Sequence, residues 1–161
     1  MREFLRVFGA ALVVGAGTGA GFAVCRHYYE AWRKLHTLER LLFYLQTLLR
    51  YQALSGEELL RRAAIYPEFA EMGIRNCGSL AELPLPVTLS PTLRQEMEQG
   101  LEQVGLEPRD TACATLQRLA TLCEEAAVEQ KAKVELARRL WPRLGAVSYT
   151  HLRAHETRHD L

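Results

Sequence analysis

Val7-Phe8-Gly9-Ala10-Ala11-Leu12-Val13-Val14-Gly15-Ala16-Gly17-Thr18-Gly19-Ala20-Gly21-Phe22-Ala23-Val24-Cys25 is a run of nineteen residues whose only polar side chain is Thr18. Wound as an α-helix at about 1.5 Å per residue, it spans about 28 Å, close to the hydrocarbon thickness of a bilayer. Its five glycines, at 9, 15, 17, 19 and 21, would weaken a helix in water by about 1 kcal/mol each relative to alanine. A bilayer tolerates them. Gly15 with Gly19 and Gly17 with Gly21 each form a GxxxG pair, so these four residues are a candidate face for close helix packing in the membrane.

Other readings of the same run fit less well. Leu12 to Ala20 looks like a strand entering a Gly-rich phosphate turn, but that fingerprint needs a βαβ unit and an acid about 20 residues on. The acid would fall near Glu39, inside a leucine-rich helix, and no second strand follows. Gly21-Phe22-Ala23 is a weak cleavage site, behind an apolar run longer than a signal peptide needs. A lipid-modified Cys25 would want a small residue before it, and Val24 stands there. An uncleaved anchor accounts for the run best. Arg2 and Arg6 precede it, whereas Arg26, Arg33, Lys34 and Arg40 follow, so the positive-inside rule puts the body in the cytoplasm.

Beyond the run, Leu, Ala, Glu and Arg dominate, and Val and Ile are scarce, which is a helical composition. His27-Tyr28-Tyr29-Glu30-Ala31-Trp32-Arg33 suits a headgroup interface. A long helix is expected from there to about Gln52, with Leu35, Leu38, Leu42, Leu45 and Leu49 making one apolar seam. Ser55 and Glu58 read as a capping box opening a second helix, with Leu59, Leu60 and Ala63 inward and Pro67 interrupting it. Gly73 and Gly78 mark weaker structure, and Leu83-Pro84-Leu85-Pro86 is a connector. Ser90-Pro91 starts a helix that ends near Gly105. Asp110 or Thr111 caps the last helix, to about Leu140, with Leu116, Leu119, Cys123, Ala126, Ala127, Val134, Ala137 and Trp141 on its apolar side. The fold class is all-α: an N-terminal transmembrane helix, then a helical bundle in which the first and last long helices pair antiparallel.

Twenty basic and nineteen acidic side chains leave a formal charge of +1, which offers no field to gather nucleic acid. Cys25, Cys77, Cys113 and Cys123 form no CxxC pair and read as small apolar residues in a reducing compartment. Glu57-Glu58 and Glu124-Glu125 fit solvated faces. Arg61-Arg62 and Arg138-Arg139 fit the same, or contact with an acidic partner or lipid headgroups. Neither a cofactor nor a small-molecule substrate is expected.

The order of these patterns resembles the stage III sporulation protein AB family of endospore-forming bacteria over residues 7–146. The resemblance lies in the Gly-rich anchor, in Leu38-Glu39-Arg40-Leu41-Leu42-Phe43-Tyr44-Leu45-Gln46-Thr47-Leu48-Leu49-Arg50-Tyr51, in Leu59-Leu60-Arg61-Arg62-Ala63-Ala64, and in Trp141-Pro142-Arg143-Leu144-Gly145-Ala146. It implies a part in the channel-like complex linking mother cell and forespore. It also implies similarity to the F-type inner-membrane proteins of type II secretion and pilus machines. The protein would then be a membrane platform for a cytoplasmic ATPase, with other channel proteins and the lipid membrane as partners. In the family, the Leu-Gly near the end begins a second transmembrane segment.

Here Val147 to Leu161 departs from that pattern: three of the five histidines fall in these fifteen residues. The stretch reads as a non-native tail from sequence assembly. It contains His155-Glu156-Thr157-Arg158-His159, a literal HExxH, with His151 one turn earlier. On a helix that spacing supplies two zinc ligands and a general base, but it ends two residues before the chain does, with nothing left to build a cleft. The organisation expected is an anchor over 1–26, a cytoplasmic helical domain over 27–146 and the tail over 147–161. The function expected is an assembly subunit of the cell membrane and not an enzyme. The alternatives are a metal-dependent hydrolase using the terminal histidines and a generic membrane-tethered adaptor.

Overall fold

The computed structural model describes the backbone of residues 2–52 and 54–156, and the side chains of residues 8, 9, 15, 19–52 and 54–140. Among the described residues there is no strand. Among the described residues five α-helices follow one another: α1 (Arg2–Tyr51), α2 (Gly56–Ala63), α3 (Pro67–Ala70), α4 (Pro91–Val104) and α5 (Arg109–Glu156). Short 3-10 turns at Ile74–Asn76 and Leu80–Glu82 lie between α3 and α4. The chain divides into two compact units. Unit 1 is Met1–Glu30 with Gln130–Leu161, and unit 2 is Ala31–Glu129.

The all-helical class and most of the predicted boundaries are found, and the differences have local causes. Ser55 caps α2, its Oγ accepting from the Glu58 backbone N–H at 3.4 Å. The Glu58 carboxylate does not complete a capping box; it turns to Arg61 and Arg62 at 2.6 and 3.2 Å. Two charged partners outweigh one backbone amide. Pro67 ends the second helix by opening a third, at the position where its missing N–H costs nothing. Ser90 caps α4, accepting from the Leu93 N–H at 3.3 Å, with Pro91 at the first helical position. The last helix starts one residue before Asp110, at Arg109, because the Pro108 carbonyl already accepts from the Ala112 N–H at 2.9 Å. Asp110 therefore faces the helix dipole from inside the first turn. The helix also runs on past Leu140 to Glu156.

The core of unit 2 is the leucine seam and what covers it. Leu38, Leu41, Leu42 and Leu45 are fully buried, with Leu35 and Leu49 nearly so. Against them lie Leu59, Leu60 and Ala63 of α2, Met97 and Leu101 of α4, and Ala112, Cys113, Leu116, Leu119 and Cys123 of α5. Each buried leucine contributes about 1.5–3 kcal/mol of transfer free energy. Gln46 is the buried polar residue of the described core. Its Nε2 donates to Gln117 Oε1 at 3.3 Å, and its carbonyl accepts from the Cys113 thiol at 3.9 Å.

The irregular stretch between α2 and α4 is not a loose connector. Phe69, Ile74, Leu80, Leu83 and Leu89 are all buried in the same core. Gly73 makes the necessary turn at φ +87°, a left-handed conformation that glycine adopts without penalty. The α4–α5 contact depends on a second glycine: a Cβ on Gly100 would stand 2.9 Å from both methyl carbons of the fully buried Leu119.

Among the described residues no helix is long and apolar enough to cross a membrane. The predicted span, residues 7–25, takes in 7, 10–14 and 16–18, whose side chains lie outside the described residues. What stands is that the whole run is part of α1.

Candidate functional site

The residues singled out from sequence separate into those the fold uses and those it leaves facing outward. In the glycine run, a Cβ on Gly15 or Gly19 would meet nothing within 4 Å, while Gly21 is buried. The surroundings of Gly17 lie outside the described residues. Because the run is helical throughout, it is not a strand-to-helix phosphate turn, and the dinucleotide reading has no geometry to rest on.

Just past the run, Arg26 donates from Nε to Glu30 Oε1 at 2.8 Å, one turn on, and this bond raises its already high pKa. Trp32 stacks on His36, with ring centroids 5.5 Å apart and planes 8° apart. His36 Nδ1 is in turn 2.9 Å from Glu39. This ladder of Trp32, His36 and Glu39 follows the three- and four-residue spacing of one helix face.

The opposite treatment is given to Arg61 and Arg62. Arg61 pairs with Glu58, and Arg62 bonds to both Glu58 and Gln52, which ties α2 to the end of α1. The Arg62 hydrogen bond, helped by Arg61, holds the Glu58 carboxyl below the usual carboxylate range. Arg61 is itself exposed and Arg62 half-buried, and Arg138 and Arg139 are exposed on α5.

A docking of α3 onto α1 escaped sequence reading. Arg33 and Arg40 reach Glu71 and Glu68 at 3.1 and 2.7 Å. Tyr44, Tyr66 and Phe69 close the same contact, with centroids 5.2 to 5.9 Å apart in tilted and edge-on pairs. The signal was present in the spacings: Arg33, Arg40 and Tyr44 fall on one side of a helix, as do Glu68 and Glu71.

Cys113 and Cys123 are buried, Cys25 and Cys77 half-buried, and all four are free thiols. Burial, with a smaller push from Glu39, drives the Cys123 pKa up to about 12. Its sulfur sits 3.8 Å from that of Met97. Burial and then Glu82 raise Cys77, whose thiol donates to the Glu82 carbonyl at 3.3 Å. Held protonated, Cys77 and Cys123 are packing groups and not nucleophiles. Among the described residues no three His, Cys, Asp or Glu side chains are grouped to hold a metal ion. Of the HExxH, the side chains of His155 and Glu156 and the whole of Thr157 to His159 lie outside the described residues.

A family model described as stage III sporulation protein AB (spore_III_AB) matches residues 6–113. No curated protein and no solved structure gives a significant match.

Proposed function

The chain belongs to the stage III sporulation protein AB family, a structural sporulation family and not a known enzyme family, and from that premise we propose that it is a membrane-anchored assembly subunit. In this reading Val7 to Cys25 spans the membrane once. Residues 27–146 are an antiparallel helical bundle that serves as the platform for a cytoplasmic ATPase of the mother-cell–forespore channel complex.

The observation that carries the reading is the continuity of α1 from Arg2 to Tyr51. One unbroken helix joins the apolar glycine run to the leucine seam at the centre of unit 2. Supporting it, the family match covers the anchor, α2, α3 and α4. Gly15 and Gly19 leave open space for a neighbouring membrane helix.

Two experiments test it. The full chain is expected to stay in the membrane pellet through high salt and alkaline carbonate. Release of the intact chain into the supernatant overturns the anchor. The full chain in detergent is then expected to retain the purified sporulation ATPase on an affinity column, and passage of the ATPase unbound overturns the platform.

A further inference from the structure

The near-neutral total charge hides a segregation. Unit 1 carries ten Lys and Arg against five Asp and Glu, a net +5, whereas unit 2 carries ten against fourteen, a net −4. The residues after Ala146 contribute two of each sign, so the positive excess is not theirs. Arg26 on α1 and Lys131, Lys133, Arg138 and Arg139 on α5 are exposed, while α5 turns Val134 and Ala137 inward. The acids among them are Glu30, which bonds to Arg26, and Glu135.

These cations share one level. Arg26 lies four residues before the end of the first segment of unit 1, and Lys131 to Arg139 lie just inside the start of the second. Gln46, late in α1, bonds to Gln117 and Cys113, early in α5, whereas the first 30 residues group with those from 130 on, so the two helices run in opposite senses and both groups fall toward the same end of the unit, within about 14 Å along the helices. That end is also where the apolar run stops, at Cys25.

We infer that Arg26, Lys131, Lys133, Arg138 and Arg139 form a basic collar that selects anionic phospholipid headgroups at the membrane surface. The inference rests on the reading of Val7–Cys25 as a span, which sets the collar at headgroup depth. Long basic side chains extend their charge to the phosphate layer while their stems stay against the helix. The attraction to an anionic leaflet acts within about a Debye length, roughly 8–10 Å. Tyr28, Tyr29 and Trp32 are of the type that lies at the same depth.

The test uses the full chain in vesicles of phosphatidylcholine, and of phosphatidylcholine with phosphatidylglycerol at seven to three. Spin-labelled phosphatidylglycerol and phosphatidylcholine report which lipid is held at the protein. The expected result is a preference of about threefold for the glycerol lipid, falling toward parity in 0.5 M salt. The K131Q/R138Q/R139Q variant should lose at least half of that preference. R50Q/R75Q/R109Q, which removes the same charge from exposed positions of unit 2, should keep it. Parity in the unaltered chain, an unchanged preference in the collar variant, or an equal loss in the control variant each overturns the collar. A chain that incorporates into pure phosphatidylcholine but shows parity leaves the anchor standing without the collar. A chain that stays out of phosphatidylcholine yet binds the anionic vesicles defeats the anchor and keeps the collar as a peripheral contact. Binding to neither defeats both.

Discussion

The two halves of α1 share one helix and follow different rules. From Val7 to Cys25 there are five glycines and almost no polar side chain; from Arg26 to Tyr51 there is no glycine, and leucines recur at three and four. The second half is explained by water: its seam is driven inward, and its other face carries Arg33 and Arg40 to acidic partners on α3. The first half has no such face, and its glycines would cost a water-exposed helix several kcal/mol. Where hydrocarbon surrounds a segment, backbone groups must bond within it, so a helix persists whatever its side chains prefer. Under the proposed span, one continuous helix is held by hydrocarbon along its first half and by a leucine core along its second.

The strongest way to break this comparison is to remove a methyl cluster from each half. Leu42→Ala should destabilise unit 2 by about 3 kcal/mol, since the side chain is fully buried and a cavity remains. Val13→Ala should leave the urea midpoint of that unit where it was. Equal losses would mean that the two halves stabilise the same body.

Glycines give a sharper version. At Gly100 a new methyl group collides with Leu119, and overpacking of about 1–3 kcal/mol outweighs a helix-propensity gain of about 1 kcal/mol. Gly100→Ala is therefore expected to lower stability by about 1 kcal/mol in chemical denaturation. Gly19→Ala, facing open space, should cost nothing there. A stabilised Gly100→Ala would show that α4 shifts freely against α5.

Smaller still is the tie between α1 and α3. A double-mutant cycle on Arg40 and Glu68, both about half exposed, should yield about 0.5 kcal/mol and shrink in salt. A coupling above about 2 kcal/mol would mean a drier contact than the geometry describes.

The smallest effect is read by titration. Glu58 is held below the usual carboxylate range, first by its hydrogen bond to Arg62. A depressed folded pKa gives stability that is present above the unfolded value, about 4.3, and is lost as pH falls through the folded one. The Glu58 side-chain NMR shift should therefore turn over below that of a free glutamate. Arg62→Gln should move the midpoint upward, and an unmoved midpoint would deny the bond its role.

The helices were legible because caps and periodicity are local. Ser55, Ser90 and Pro91 announce their helices within one turn, and the spacing of Leu35 to Leu49 needs no knowledge of what lies opposite. The same locality explains the errors. Glu58 was assigned to Ser55 because a capping box is a four-residue pattern, and its arginine partners follow at residues 61 and 62. The core contribution of Phe69, Ile74, Leu80, Leu83 and Leu89 carried no period, since it comes from turns that point successive residues inward one at a time.

The sequence by itself determined the all-helical class, the places where helices begin and break, and membership of a sporulation family. Those follow from short-range backbone preferences and from the order of patterns along the chain. Only the tertiary structure decided that Gly100 is a packing requirement. It alone gathered the positive charge of Arg26 and of Lys131 to Arg139 into one unit. Gly100 and Leu119 stand 19 positions apart and Arg26 and Arg139 stand 113 apart, and such distances leave no mark in a linear pattern until the chain is folded.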